Sequence, residues 1–498
     1  MKIYSLILIL CLFLLTSLGA STKNSETLYK QHIEKNIYAN NREPITIFTF
    51  DELVKLSRQP EPEDYLRQKL DLQLAMPYIL NRNFSEELNN SYLRVVQWNI
   101  KRGFNTDTIR DILTAPKSYE AKHIVSTRWG KRKHFKDELY TLASADVISL
   151  NEVDIGMPRT NYKNIVASLA DALSWNYVFS TEFVELGPII QKEKVDKSKY
   201  KGLHGNAIIS RFPIVSARAI QLPNYYDWYR EEIEENRSPI EYVRKFGAKS
   251  VFSERILPYE VRHGSRQAIL ADIKLPTGQI VTVVSTHLED RAYPDERLKQ
   301  FKSLLASIKD VKTPLVLTGD FNTSTTDTRP TSFKKEVYKR IRDPHFFLRQ
   351  AAFVPIPFVP VAGGVIAVAF SKLLQYKDPF FPSVPIMFPN HERSFLTTLK
   401  KFKFSDGYAF DLSGDKKKSS NKRKGLLANS NQRHWKGFKS TYKFEKPRII
   451  AYFKLDWFFI KPVGNHFVPF NGKTLKTLNY SIKGHISDHN PITVDLKL

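Results

Sequence analysis

An α/β protein is what the sequence predicts, and three observations predict it. Several short runs rich in β-branched and aromatic residues read as strands between turn residues. Apolar residues at helical spacing lie between them. Most of the strand-like runs end in polar side chains able to bind a metal or a phosphate, and strand ends are where α/β sheets usually carry their chemistry.

The chain opens with Lys2, an uncharged and largely apolar run from Ile3 to Leu18, and the small residues Gly19 and Ala20. This layout predicts a secretory signal peptide over residues 1–20, with an uncleaved anchor as its rival. The protein is therefore expected to be exported, to the periplasm or the medium. The single cysteine, Cys11, lies inside this run, so the mature chain is expected to have no thiol or disulfide. Residues 21–90 read as a helical N-terminal extension without chemistry. Phe50–Leu56 has a capped helix start, Pro60 and Pro62 interrupt it, and a second helix is expected over Asp64–Leu80. No internal repeat is evident.

From residue 91 onward the strand-like runs deliver their polar residues in order. Leu93–Ile100 carries Asn99, Asp146–Glu152 carries Glu152, Ile280–Leu288 carries His287, and Pro314–Asn322 carries Asp320 and Asn322. Tyr452–Ile460 holds Asp456 inside an otherwise apolar run. Burying an unpaired carboxylate there would cost several kcal/mol, so Asp456 is expected to have a functional partner. The tail, Gly484-His485-Ile486-Ser487-Asp488-His489-Asn490-Pro491, sets Asp488 and His489 on a loop ahead of the strand Ile492–Leu496. A carboxylate beside an imidazole in such a loop suits phosphoester hydrolysis. Helices are expected from Ile165, Leu169 and Leu173, and from Leu298, Phe301, Leu305 and Ile308 with Pro294 at the start. Their apolar stripes belong to the core. Gly202 and Gly205 read as turn glycines.

A long insert occupies about 324–450. Gln350–Ser371 runs 22 residues without a charge, but Pro355, Pro357, Pro360 and the pair Gly363-Gly364 argue against a straight spanning helix. Two readings stand: a packed apolar hairpin, or peripheral membrane contact through about 350–371. Lys416–Lys424 is a strongly basic run, read as a solvated loop.

The ordered motifs Trp98-Asn99-Ile100, Asn151-Glu152-Val153, Thr286-His287-Leu288, Gly319-Asp320-Phe321-Asn322 and Ser487-Asp488-His489 resemble the endonuclease/exonuclease/phosphatase superfamily of deoxyribonuclease-like and sphingomyelinase-like phosphoesterases. Asn151–Met157 and Leu203–Arg211 are similar to an exported bacterial branch of it. The resemblance implies a four-layer sandwich of two mixed β-sheets flanked by helices. It also implies a site in which Glu152 and Asp488 hold the metal and Asn99 helps to hold that metal or a phosphate oxygen. Asp320 and Asn322 would orient water and bind the scissile phosphate. His489 would be the general base, or would share a water's proton with Asp320, and Asp456 would hold the ring of either His287 or His489. His287 would give a proton to the leaving oxygen or a hydrogen bond to the phosphate. Asn206, Arg159 and Arg266 lie in family-like segments, where substrate contact and a structural role are equally open. The tyrosine of abasic-site endonucleases has no clear match among Tyr200, Tyr225 and Tyr226, which counts against DNA repair.

Oxygen ligands of this kind suit Mg²⁺ or Mn²⁺. The formal charge of +25 and a pI near 9.7 favour a polyanionic partner. The charge itself chooses neither nucleic acid nor an anionic membrane; the expected substrate is nucleic acid or a related phosphodiester, with a membrane phospholipid as the alternative and a non-catalytic binding protein on the same fold as a third reading. No protein partner is inferred.

Overall fold

A computed structural model describes residues 48–82, 87–88, 90–233, 260–292, 294–323, 393–412, 438–444 and 451–498. The expected signal segment, the apolar stretch at 350–371 and the basic run at 416–424 lie outside the described residues. Among the described residues no helix is long and apolar enough to cross a membrane.

Two mixed sheets form the frame. The strands of the first are β1 (Tyr78–Leu80), β2 (Tyr92–Arg102), β3 (Val147–Ile155), β4 (Asn176–Glu185), β5 (Leu203–Ser210), β7 (Arg262–Gly264), β14 (Val468–Thr474) and β15 (Ile492–Lys497). They run in the order β1-β4-β5-β3-β2-β15-β14, with β7 on β4. The second sheet has the order β13-β10-β9-β8-β6, from β6 (Ile214–Gln221), β8 (Gln267–Lys274), β9 (Ile280–His287), β10 (Leu315–Asp320) and β13 (Asp456–Lys461). A small ribbon pairs β11 (Tyr442–Phe444) with β12 (Ala451–Phe453). Each large sheet has one parallel pair, β2 with β3 and β9 with β10, and the other pairings are antiparallel.

The sheets bury one apolar face against each other. Val95, Val147 and Ile208 of the first meet Ile269, Val283 and Phe458 of the second. These strands read as near-continuous apolar runs because both of their faces are covered. The outer face of the first sheet packs on α1 (Phe50–Leu56), α2 (Asp64–Ala75), α3 (Thr106–Thr114), α4 (Pro116–His123), α5 (Arg132–Ala143) and α6 (Ile165–Leu173). The outer face of the second packs on α7 (Pro294–Ile308) and α8 (Arg393–Lys401). The result is the expected four-layer sandwich.

Local chemistry accounts for the element ends. Thr49 and Glu52 close a capping box at the start of α1, with Thr49 N donating to Glu52 Oε2 at 2.8 Å. The second helix stops at Ala75 rather than running to Leu80. Pro77 cannot continue it, and Tyr78–Leu80 instead pairs with β4. Gly205 is not in a turn but inside β5, where a Cβ would lie 1.9 Å from Ser180 O. Only glycine lets β5 approach β4 so closely at its bulge.

The topology concentrates function at one end of the sandwich. Both parallel pairs run the same way within their sheets and finish on the polar residues noted above. In the second sheet Asp320 is in register with His287 on one side and Asp456 on the other.

Candidate active site

The site is built on strand ends that depart from regular pairing. Register shifts fall between Asn99 and Arg102 of β2 and between Leu150 and Val153 of β3. Lys101, Arg102, Glu152 and Asn322 all have positive φ, between 46° and 62°. Non-glycine residues held there cost about 1–3 kcal/mol each and gather where a side chain must be aimed. Gly319 makes room for the same purpose: a Cβ on it would meet Thr286 O at 1.8 Å, so only glycine lets β10 bring Asp320 against His287.

Asp320 is the centre of the arrangement. Its Oδ2 lies 3.5 Å from His489 Nε2, 3.6 Å from His287 Nε2 and 3.2 Å from Asn99 Nδ2, while Oδ1 accepts from Asn322 N at 2.9 Å. Behind His489, Asp456 Oδ2 accepts from Nδ1 at 2.8 Å. The pairing left open by the sequence is thus with His489, and not with His287. Burial alone would lower the His489 imidazole, but the Asp456 and Asp320 carboxylates outweigh it and push it up to about 10. Burial pushes the Asp320 carboxyl up, more than His489 draws it down, and the nearby Asp456 carboxylate adds to the rise.

The loop that carries His489 is pinned from several sides. Trp98 Nε1 donates to His489 O at 2.9 Å, and Ser487 Oγ donates to Asn99 O at 2.6 Å. Asn479 accepts from Ser487 N at 3.0 Å and donates to Ser487 O at 2.7 Å. The insert's last residues close the wall: Thr441 Oγ1 accepts from Asp456 N at 3.2 Å, and the Tyr442 ring stands 5.0 Å from the His489 ring.

The residues expected to hold an ion lie beside this centre. Glu152 Oε1 accepts from Asn99 Nδ2 at 3.0 Å, and Asp488 Oδ2 lies 3.6 Å from Lys101 Nζ. Lys101 and His489 hold Asp488 below the ordinary carboxylate range against the opposing effect of burial. Of the two roles expected of Asn99, its amide orientation suits contact with a phosphate oxygen over contact with the metal. Its Oδ1 accepts from Lys101 N at 3.0 Å, so the amide nitrogen, which cannot ligate a cation, is what faces Glu152 and Asp320. Glu152 and Asp488 bring hard carboxylate oxygens to this region, and the Lys101 ammonium stands beside Asp488. Asp320, Asp456 and His489 also place ligand atoms within 4.8 Å of one another, a set able to hold an ion. The His489–Asp456 bond already uses that imidazole and carboxylate.

The model of the Endonuclease/Exonuclease/phosphatase family matches residues 96–489. The chain belongs to this family. Solved structures similar to it include an endonuclease/exonuclease/phosphatase from Beutenbergia cavernae, with 16% identity, 82% of this chain and 72% of the other covered, and a TM-score of 0.37. They also include D. rerio TDP2 complexed with single strand DNA product, with 14% identity, 82% and 100% covered, and a TM-score of 0.36. A third is ANGEL2, a 2′,3′-cyclic phosphatase, with 15% identity, 82% and 96% covered, and a TM-score of 0.34. No curated protein matches the chain in sequence.

Within this family member, the three residues considered for substrate contact are committed to protein partners. Arg159 binds Asp154 through two hydrogen bonds of 2.7 and 2.9 Å and reaches Glu185 at 3.2 Å. Asn206 donates to Glu182 at 2.9 Å and accepts from Asn151 at 2.8 Å. Arg266 touches Glu182, Asp290 and His287. Asn151 is the residue whose part the sequence did not reveal. Its Oδ1 accepts from Gln97 Nε2 at 2.6 Å and from Asp320 N at 3.0 Å, and its Nδ2 donates to Thr286 O at 3.1 Å. One buried amide thus ties β3 of the first sheet to β9 and β10 of the second, directly beneath Asp320.

Proposed function

We propose that the protein is an exported, divalent-metal-dependent phosphodiesterase that hydrolyses nucleic acid or a related phosphodiester by attack of water. Membership of the family supports phosphoester hydrolysis. The observation that carries the finer reading is Asp320 Oδ2, approached by Nε2 of two imidazoles from different elements while Asp456 backs one of them.

Asp320 is the acceptor for the proton of the attacking water. His489 faces the same oxygen and shares that proton through Nε2, while Asp456 orients the ring through Nδ1–H and stabilises the imidazolium. Asn322, whose backbone N–H binds Asp320 Oδ1, holds the carboxylate in the orientation that presents Oδ2. Glu152 and Asp488 would hold Mg²⁺ or Mn²⁺, which when bound neutralises phosphoryl oxygens and favours hydroxide over water as the nucleophile.

The charge of +25 supports a polyanionic substrate. The test is hydrolysis of bis-p-nitrophenyl phosphate with Mg²⁺ or Mn²⁺, beside His489→Ala and Glu152→Gln. Metal-dependent release that falls about 10²–10⁴-fold in both variants is expected. Release without added metal, or at full rate in either variant, would contradict the reading. With natural substrates, turnover of DNA or RNA should fall steeply as salt rises; turnover that requires phospholipid vesicles and ignores salt would overturn the nucleic-acid assignment.

A further inference from the structure

The contact between Arg266 and His287 decides something the family motifs do not. Arg266 Nη1 lies 2.9 Å from His287 Nδ1. A guanidinium has five N–H donors, no acceptor and a pKa too high to lose a proton in a protein. The hydrogen in this contact therefore belongs to Arg266, and Nδ1 of His287 accepts it. A neutral imidazole carries one N–H, so the ring's own proton sits on Nε2, which faces Asp320 Oδ2 at 3.6 Å.

The surroundings hold the guanidinium in place. Arg266 is only 4% exposed. It also donates from Nη1 to Glu182 Oε2 at 3.1 Å and from Nη2 to Asp290 Oδ1 at 3.2 Å, with Glu289 Oε2 3.6 Å from Nε. Three carboxylates thus balance its charge and set its aim. Burial and the adjacent Arg266 charge both keep His287 well below the ordinary imidazole range. His489 stands in the opposite environment, with Asp456 on its Nδ1.

We propose that Arg266 is a positioning residue that locks His287 as the neutral Nε2–H tautomer, so that His287 serves the reaction by donating a hydrogen bond to the phosphate and not by protonating the leaving oxygen. This rests on the phosphodiesterase reading above. To release its Nε2 proton, the ring would have to become an imidazolate beside the Asp320 carboxylate. To carry a second proton, Nδ1 would have to point an N–H at a guanidinium. Both routes are electrostatically unfavourable in a buried site.

Two readouts test the proposal. The first is ¹⁵N NMR of the full chain labelled with ¹⁵N-histidine, with the His287 signals assigned by their loss in His287→Gln. Protonated Nε2 and bare Nδ1 are expected from pH 6 to pH 9, and Arg266→Lys, which still donates, should keep that pattern. A proton on Nδ1 of the wild-type ring would overturn the proposal. This arm needs no activity, so it stands even if the chain hydrolyses no phosphodiester, an outcome that would remove only the functional reading.

The second readout is a series of methyl aryl phosphodiesters with leaving groups from p-nitrophenol to phenol. His287→Gln keeps an N–H donor, and its deficit should be about 10-fold and equal across the series, whereas His287→Ala should lose about 10²–10³-fold throughout, as for a lost transition-state donor. A His287→Gln deficit that grows past about 10²-fold as the leaving phenol becomes more basic is the mark of a lost general acid and would overturn the proposal.

Discussion

Asp456 and His489 are joined by a 2.8 Å hydrogen bond between Oδ2 and Nδ1, and Asp320 lies on the far side of the same ring, 3.5 Å from Nε2. The imidazole is thus held between two buried carboxylates of neighbouring strands. Asp456→Asn keeps the side-chain volume and removes the charge that supports the imidazolium. A fall in kcat of about 10²–10⁴-fold is expected with a native circular dichroism spectrum, in line with the loss on neutralising the aspartate of a catalytic triad. A fall below about 10-fold would show that the bond is structural.

Asn151 satisfies donors and acceptors on both sheets at once. Asn151→Ala leaves the Asp320 backbone N–H and the Gln97 amide, both buried, without their partner, and unmet buried groups cost about 1–3 kcal/mol each. Chemical denaturation should show a loss of about 2–5 kcal/mol, accompanied by reduced kcat, because Asp320 is no longer anchored.

Gly319→Ala would force a Cβ to within 1.8 Å of Thr286 O, backbone against backbone. Neither strand can yield without moving Asp320 or His287. The variant should lose more than about 3 kcal/mol in denaturant titration, well above the usual effect of a point substitution.

Glu138 on α5 accepts from Leu478 N at 2.8 Å, and burial pushes its carboxyl up from 4.5 to about 7. A raised pKa means that the fold favours the protonated form. Its contribution is fully present below about pH 4.5 and is lost as pH rises through 7. The stability of the wild type relative to Glu138→Gln should therefore fall by about 1–3 kcal/mol between pH 4.5 and pH 8. Thermal or denaturant unfolding of the two proteins across that range measures it; a difference that does not change with pH would contradict the assignment.

Much of this was legible in the chain. Asn99, Glu152, His287 and Asp320 stand at the ends of apolar strands; the strand and helix patterns predicted an α/β protein, and the resemblance carried by the ordered motifs implied the sandwich around them. Asp456 announced itself as a carboxylate in a buried run, yet its choice of His489 over His287 depends on strand order, which no local pattern records. Asn151 and Asn479 act through hydrogen bonds to distant segments and leave no periodic trace. Gly205 looks like a turn glycine because a glycine that admits a neighbouring strand has the same local signature. Arg266 and Arg159 stood open between phosphate contact and a structural role: Glu182 and Asp290 reach Arg266 from other segments, and even Asp154, five residues from Arg159, is brought to it only by the bend after β3. Tyr442 and Thr441 were hidden within the insert, although they reach the His489 ring and the Asp456 backbone.

The central claim is that Asp320, approached by Nε2 of both imidazoles, accepts the proton of the attacking water. Its most direct test is the turnover of Asp320→Asn on a phosphodiester with Mg²⁺ or Mn²⁺, measured on protein shown to be folded. The account predicts a loss of about 10³-fold or more, because the amide cannot take a proton and turns a donor toward Asn99 or an imidazole. Activity within about 10-fold of wild type would contradict it and move the chemistry to another group.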